Sequence, residues 1–314
     1  SYPWRAKSLH SPAMTGPTPA PPADHMRIFD RSLHAQRRAR AAAGYADYSF
    51  LKKAAAEDIA LRLAAINRRF DRVLDLGAHD GTLARTLKAD PLVGSRIGEI
   101  VSADLSPAFG HQVADEEALP FQDQSFDLIV SALSLHWVND LPGALIQIRR
   151  ALKPDGLFIA TVLGGRTLTE LRQALLAAED EVRGGAANRV SPMLDVIDAA
   201  GLLQRTQFAM PVADNDARTV RYAHPLKLLA DLRGMGETNA IFDRQKTFTG
   251  REIFAKAAAL YAQRYGMEDG RIPASFHVIT LTAWAPHASQ PKPLRRGSAT
   301  ASLADALDDR KNKI

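Results

Sequence analysis

The run Asp75-Leu76-Gly77-Ala78-His79-Asp80-Gly81 joins a short apolar stretch, Val73 to Leu76, to a helical pattern that opens at Thr82. A strand, a glycine turn and a helix N-terminus in that order form a crevice whose free N–H groups attract polar ligand groups. About 27 residues beyond Gly77, the stretch Glu99-Ile100-Val101-Ser102-Ala103-Asp104 ends in an acid. A Rossmann-like sheet places there the carboxylate that accepts two ribose hydroxyls. The competing reading is an Asp that caps the next turn. Asp115 and Glu116 follow a third, shorter stretch. A carboxylate at that point can accept a hydrogen bond from an exocyclic adenine amine, with Ala118 and Leu119 as apolar contacts; a solvated acidic turn is the alternative. Ser131 to Val138 lies at the C-terminal end of the fourth strand, the edge where open α/β sheets bind ligands. Leu133 there joins the cofactor-binding candidates. His136 can act as acid, base or donor, and Trp137 can offer an apolar wall or a ring face for a cation. A core His and a packing Trp compete with those roles, packing being slightly ahead for Trp137. No Ser-His-Asp arrangement, Walker loop or metal-ligand spacing occurs, so no metal is expected. The absence of cysteine excludes disulfides, thiolate ligands and cysteine nucleophiles.

These residues need a scaffold, and the pattern supplies one. Residues from Ile28 to Arg69 read as helical, with Arg31 to Ala43 rich in Ala and Arg, and with Ile59, Leu63 and Ile66 on one face. Such a cap can cover a cofactor site or simply pack on the sheet. Strands are predicted at 73–76, 99–104, 111–115, 126–133 and 157–162. Asp140-Leu141-Pro142 starts a helix with an acidic cap and an early Pro, and Lys153-Pro154-Asp155-Gly156 closes it. Alternating strands and helices imply a mostly parallel sheet. Further helices are predicted at 168–182, 193–200 (ending at Gly201), 226–233 and 252–265, with strands at 207–212 and 275–285. The domain expectation is an extended N-terminal extension over 1–25, a helical cap over 26–70 and a main domain over 71–285. Helical insertions are expected at about 165–200 and 215–268, and a loosely structured tail over 286–314. Met26 is a candidate start of the working chain.

A 314-residue chain of this ordinary globular composition can bury a substantial core, and no apolar run approaches membrane-spanning length. The net charge of +5 is concentrated: residues 1–40 hold seven basic and two acidic side chains, leaving 33 of each sign beyond. A basic arm on a neutral body suits an acidic membrane surface or partner, or solubility alone, which is the default; it does not indicate nucleic acid.

The spacing of Asp75, Gly77 and Gly81 resembles the first motif of class I S-adenosylmethionine (SAM) dependent methyltransferases, with His79 where the usual form has Gly. The longer stretch Ser131 to Pro142 resembles the methyltransferase-fold assembly factor family of respiratory complex I, protein-arginine hydroxylases. Similar pieces are Ile28-Phe29-Asp30-Arg31, Ala114-Asp115-Glu116-Glu117, Leu152 to Gly156, Asp231-Leu232-Arg233-Gly234-Met235-Gly236-Glu237 and Arg296-Gly297-Ser298-Ala299-Thr300. The last two separate this family from generic methyltransferases and from the related malonyl carrier protein methyltransferase of biotin synthesis. The resemblance implies an α/β, Rossmann-like class I methyltransferase fold: a mostly parallel seven-stranded sheet flanked by helices, with helical insertions in the C-terminal half. It implies SAM as cofactor, held by Asp75, Gly77, Gly81, Asp104, Asp115 and Glu116. It also implies an arginine substrate on a subunit of NADH:quinone oxidoreductase near the inner membrane. The compartment would be the cytoplasm of a bacterium, the favoured reading, or the mitochondrial matrix of a eukaryote. Two other functions stay open: a SAM-dependent methyltransferase acting on a small molecule or carrier-protein-bound carboxylate, and a non-catalytic chaperone that keeps the fold. Two departures stand out. His79 adds an imidazole where the backbone passes close to the cofactor, and the ten residues between Asp104 and Asp115 leave no room for the usual helix.

Overall fold

Val73, Leu74, Asp75 and Leu76 are all buried, because strand β1 (Phe70–Leu76) runs through the middle of a sheet covered on both faces. A strand in that position reads as a continuous apolar run rather than an alternation. The structure, a computed structural model, describes residues 27–185 and 187–291. The predicted extension over 1–25, Met26, the Arg296–Thr300 piece and the tail beyond 291 lie outside the described residues.

β1 pairs in parallel with β2 (Ile97–Asp104) on one side and β4 (Phe126–Ala132) on the other. With β3 (Gln112–Val113), β5 (Leu152–Gly164), β6 (Ala209–Tyr222) and β7 (Ile272–Trp284), the order is β3-β2-β1-β4-β5-β7-β6. β7 runs antiparallel to both its neighbours. Chain direction across the sheet reverses between β1 and β4, so their C-terminal ends flank a topological switch point, where open α/β sheets form their ligand crevice. This is the mostly parallel seven-stranded architecture expected of the methyltransferase fold.

Each face of the sheet has its own core. Val73, Leu128, Val130, Leu157 and Ile159 pack with α2 (Phe50–Ala64), α3 (Thr82–Ala89), α5 (Thr169–Arg183), α7 (Pro225–Gly234) and α8 (Arg251–Tyr265). Leu74, Leu76, Ile129, Phe158 and Ala160 pack on the opposite side with α4 (Leu141–Ala151) and α6 (Val196–Arg205). Helix α4 starts as its sequence requires: Asp140 caps it by accepting a 2.8 Å hydrogen bond from the Gly143 N–H.

Three elements differ from expectation. Residues 215–222, placed in a helical insertion from the sequence, continue β6, which pairs with β7 down to Tyr222↔Ile272. β6 is an edge strand, and its charged side chains, Asp214, Asp216, Arg218 and Arg221, conceal the alternation that marks a strand. Gly201 does not end α6, which runs on to Arg205; the glycine has open space around it and keeps helical backbone. The Lys153–Gly156 turn becomes an irregular start to β5, with Asp155 at φ +61° and a register shift between Phe126 and Leu128.

Helix α1 (Arg31–Ala41), which opens the cap, lies across the switch-point crevice. Its start is anchored on two sides. Asp30 N–H donates to Ala240 O at 2.8 Å, and the Asn139 side chain accepts from the Ile28 and Phe29 N–H groups at 2.8 and 2.7 Å.

Phe158 is fully buried and stacks on Phe208 at a centroid distance of 5.5 Å, so Phe158→Ala leaves a cavity in the middle of one core. The expected loss of unfolding free energy is ~3–5 kcal/mol. Ile197→Ala, at a side chain 79% exposed, is expected to change it by less than about 0.5 kcal/mol. Urea unfolding of the two variants checks this, and equal losses would contradict the layer assignment.

Candidate functional site

Gly77 and Gly81 both adopt left-handed backbone, at φ +72° and +75°. A Cβ on Gly77 would sit 2.2 Å from Ser134 Oγ, so the turn admits only glycine there. His79, where the resembled motif carries Gly, is also left-handed at φ +52°. The position therefore does call for glycine-like geometry, and a histidine holding it carries strain of order 1–3 kcal/mol. Its neighbours offset that strain. The His79 N–H donates to Asp104 Oδ2 at 2.9 Å, and its ring stacks on Tyr45 with centroids 5.0 Å apart.

Lys52 reaches the same turn from α2 and is fully buried. Its Nζ lies 2.7 Å from Gly77 O, 2.6 Å from Ala132 O and 2.8 Å from His79 Nδ1. His79 Nδ1 also lies 2.9 Å from Gly77 O, so the ring accepts from Lys52 in one tautomer and donates to that carbonyl in the other. Burial pushes the His79 imidazole well below its ordinary range, with Arg38 and Lys52 adding to the effect, so it is neutral. Asp75 is buried with no side-chain hydrogen-bond partner on either oxygen. Burial pushes its carboxyl up to about 6 against the pull of Lys52, and pushes Lys52 down to about 8 against the pull of Asp75.

Asp104 lies at the end of β2 with no solvent exposure. Its Oδ1 accepts from the Ser106 N–H at 2.8 Å, and its Oδ2 accepts from His79 N–H and from the Arg38 guanidinium of α1. Arg38 also donates to Ser134 Oγ at 3.1 Å, and that hydroxyl donates to Glu116 Oε1 at 2.6 Å. Arg31, one end of the same helix, bridges Glu116 Oε2 and Asp115 Oδ1, the latter at 2.6 Å. Burial works to raise the Glu116 carboxyl, but the guanidiniums of Arg31 and Arg38 outweigh it and hold it at about 2. Between Asp104 and Asp115 the chain makes only a 3₁₀ turn, Pro107–Phe109, and a left-handed Gly110. The short spacing indeed leaves no α-helix there.

Asp75, Gly77, Gly81, Asp104, Asp115, Glu116 and Leu133 thus gather at the C-terminal edge of β1, β2 and β4. Leu133, itself at φ +52°, lines a void of about 20 Å³ with Tyr45, Lys52 and Glu237. His136 and Trp137 stand on the far wall. The Trp137 ring is stacked by His34 at 4.3 Å and met edge-on by Phe29 at 5.0 Å, and its Nε1–H donates to Glu237 Oε2 at 2.8 Å. His136 Nε2 lies 3.1 Å from the same oxygen. Trp137 is packed in this arrangement, with one ring face taken by His34.

The donor chemistry of the crevice matches the cofactor implied by its motifs. Carboxylates stand where ribose hydroxyls and an adenine amine would donate, and the glycine turn permits close backbone approach. In this conformation the N–H groups of Arg38 and Arg31 stand in for those ligand donors. Sequence reading did not single out Arg31, Arg38, Lys52, Ser134 or Glu237 as site residues. Lys52 gave one signal, a charged residue on the buried face of α2 beside Leu51, Ala55, Ala56 and Ile59. Of the basic arm, Arg31 and Arg38 point inward onto carboxylates and Arg37 donates to Asn239 O, while Arg40 is exposed. Arg5 and Lys7 lie outside the described residues. Among the described residues no helix is long and apolar enough to cross a membrane.

A family model described as "Methyltransferase domain" matches residues 45–210. The Danio rerio protein named arginine-hydroxylase NDUFAF5, mitochondrial, is 40% identical over 288 residues, covering 89% of each chain. Its Homo sapiens namesake is 40% identical over 293 residues, 89% of this chain and 83% of that one. A malonyl-[acyl-carrier protein] O-methyltransferase of Halorhodospira halophila is 32% identical over 254 residues, 76% of this chain and 83% of that one.

The buried lysine gives a pH signature. Lys52 titrates at about 8 in the fold against an ordinary 10.5, so above pH 8 the unfolded chain binds more protons than the native one and stability rises with pH. Between pH 8 and about 9.5 the Lys52 contribution is of order 1.5 kcal/mol. Lys52→Met is expected to lose that rise, as read by urea unfolding at three pH values between 8 and about 9.5. Parallel slopes in the two proteins would remove the assignment.

Proposed function

The chain belongs to the methyltransferase-domain family that includes arginine-hydroxylase NDUFAF5, and from that premise we propose a SAM-binding enzyme that modifies an arginine of an NADH:quinone oxidoreductase subunit. The observation that carries the cofactor part is the buried Asp104 carboxylate at the end of β2, facing a left-handed Gly77 turn. Bound SAM would bring a sulfonium and its electrophilic methyl group to the switch point. Asp104 is placed to accept the ribose hydroxyls, and Asp115 and Glu116 to accept the adenine amine. Gly77 and Gly81 leave the backbone open to close approach, with Asp75, Lys52 and Leu133 on the inner side. His136, beside Glu237, is the group on the far wall that can take or give a proton, and Trp137 positions Glu237 through its Nε1–H. The relatives' names carry the arginine and the mitochondrial setting. For this chain the corresponding place of work is the matrix in a eukaryote or the cytoplasm in a bacterium.

One condition follows from the packing. Arg38 must leave Asp104, and Arg31 must leave Glu116, before ligand donors can reach those oxygens. The exchange swaps one set of N–H donors for another set of O–H and N–H donors, so the carboxylates never stand unpartnered.

Two measurements test the reading. Calorimetric titration with SAM is expected to show binding that Asp104→Asn weakens by tenfold or more, about 1.4 kcal/mol, and that Arg38→Met tightens because a competitor is removed. Unchanged affinity in Asp104→Asn removes the ribose role, and weaker binding in Arg38→Met makes Arg38 a ligand contact instead. Peptide mass analysis of NADH:quinone oxidoreductase subunits from cells with and without the protein reads the reaction. An arginine heavier by about 16 Da supports hydroxylation, one heavier by about 14 Da supports methylation, and no difference favours a chaperone.

A further inference from the structure

On the far side of the His136–Trp137 wall lies a cavity of about 580 Å³, between α5, α7 and α8. That size is within the roughly 300–1,000 Å³ typical of small-molecule sites. Its interior is apolar, made by Leu163, Leu171, Leu175, Met193, Leu229 and Phe254. Of its polar lining, Glu237 accepts from Trp137 and lies against His136 Nε2, whereas His136 Nδ1 is buried with no hydrogen-bond partner.

The charged groups of the lining are uneven. Arg189 is neutralised by Glu179 and also donates to Thr249 at 2.7 Å. Arg233, in the last turn of α7, and Arg251, the first residue of α8, are exposed, and neither has a side-chain hydrogen bond or ion pair among the described residues. Gly250 gives the 15-residue helix α8 no side-chain cap, and of its first turn the Ile253 N–H is taken by Gly250 O at 3.2 Å. The acid of that turn, Glu252, is not part of the lining. Glu237, the one acid in the lining among the described residues, accepts from Trp137 and lies against His136 rather than pairing with either arginine. An apolar chamber with unpaired guanidiniums and a helix N-terminus at one side has a definite complement: an aliphatic chain ending in an anion.

We propose that this cavity binds one acyl chain of an anionic amphiphile, with that chain among α5, α7 and α8 and the carboxylate or phosphate head on Arg233, Arg251 and the α8 N-terminus. A free fatty acid and a membrane phospholipid both present that chemistry. The site is independent of the SAM reading and is tested without SAM, so either can fail alone.

The experiment is calorimetric titration of the full chain with dodecanoate below its micelle concentration, alongside dodecanol and dodecyltrimethylammonium. The expected result is one dodecanoate per chain. The double variant Arg233→Ala/Arg251→Ala is expected to weaken dodecanoate about tenfold or more while leaving dodecanol unchanged. Neither arginine has a partner in the fold, so the variant keeps its structure. Leu229→Trp, which fills the chamber, is expected to abolish binding of both. The proposal is overturned by no dodecanoate binding, by cationic and anionic chains binding alike, or by dodecanoate binding that ignores all these substitutions. Flotation with phosphatidylglycerol vesicles then separates the sources. Association lost in the double variant identifies a membrane lipid, and dodecanoate binding without association identifies a free acid.

Discussion

A carboxylate buried at the end of a central strand has to be partnered, and that requirement at Asp104 organises this molecule. Its two oxygens take two backbone N–H groups and one guanidinium. The backbone donors come from the glycine turn and the loop after β2, so they are fixed by the sheet itself. The guanidinium comes from α1, more than sixty residues earlier, and pulls that helix across the crevice. Removing one member of such a buried pair costs on the order of 3–5 kcal/mol, because the other is left charged and dry. Docking of α1 is therefore as much a consequence of the acid's burial as of any apolar contact the helix makes.

The same logic governs the turn below it. Lys52 is as deeply buried as Asp104, and its ammonium finds two carbonyls and an imidazole rather than a carboxylate in contact. It ties together Gly77, His79 and Ala132, the C-terminal ends of β1 and β4. Left-handed backbone at three positions within five residues, Gly77, His79 and Gly81, would be a soft loop in isolation. Held by an ammonium at its centre and a Tyr45 ring on one side, it is a fixed surface. A histidine in place of the usual glycine is compatible with the turn because its side chain supplies one of the contacts that hold the turn in shape.

What could be read from the sequence was local, and what could not was long-range. Strands β1, β2 and β4 announce themselves through apolar runs, and each candidate acid is legible because it ends one of them. The α4 start is legible from Asp140 and Pro142 for the same reason. β6 was half concealed, since its charged outer positions erase the alternation that an edge strand needs to show. The partners of the site acids were concealed altogether. Arg37, Arg38 and Arg40 are alike in sequence, and only the packing of α1 turns Arg38 inward to a buried carboxylate. Counting charges along the chain put these residues together in a basic arm, whereas in the fold Arg38 is an internal counterion, Arg37 serves a backbone carbonyl and Arg40 is exposed.

The crevice and the large cavity share one wall, and the wall depends on α1. Trp137 is held on one face by His34, a residue of α1, and through its Nε1–H it holds Glu237, whose carboxylate faces both the small void and the cavity. A shift of α1 as a body away from Asp104 also draws His34 away from Trp137, because both side chains project from one 11-residue helix. The two sites are thus separated by a partition whose support is the element that closes the first of them. Burial makes a charged His34 unfavourable, with the neighbouring Arg38 and Arg31 adding to that effect, so the stack on Trp137 is made by a neutral ring. A neutral imidazole on an indole is held by dispersion and desolvation alone, at about 0.5–1.5 kcal/mol beyond its buried area. That is weaker than the ion pairs of Arg31 and Arg38, which lie three and four residues from His34 on the same face of α1, so the strength of α1 docking resides with the carboxylates.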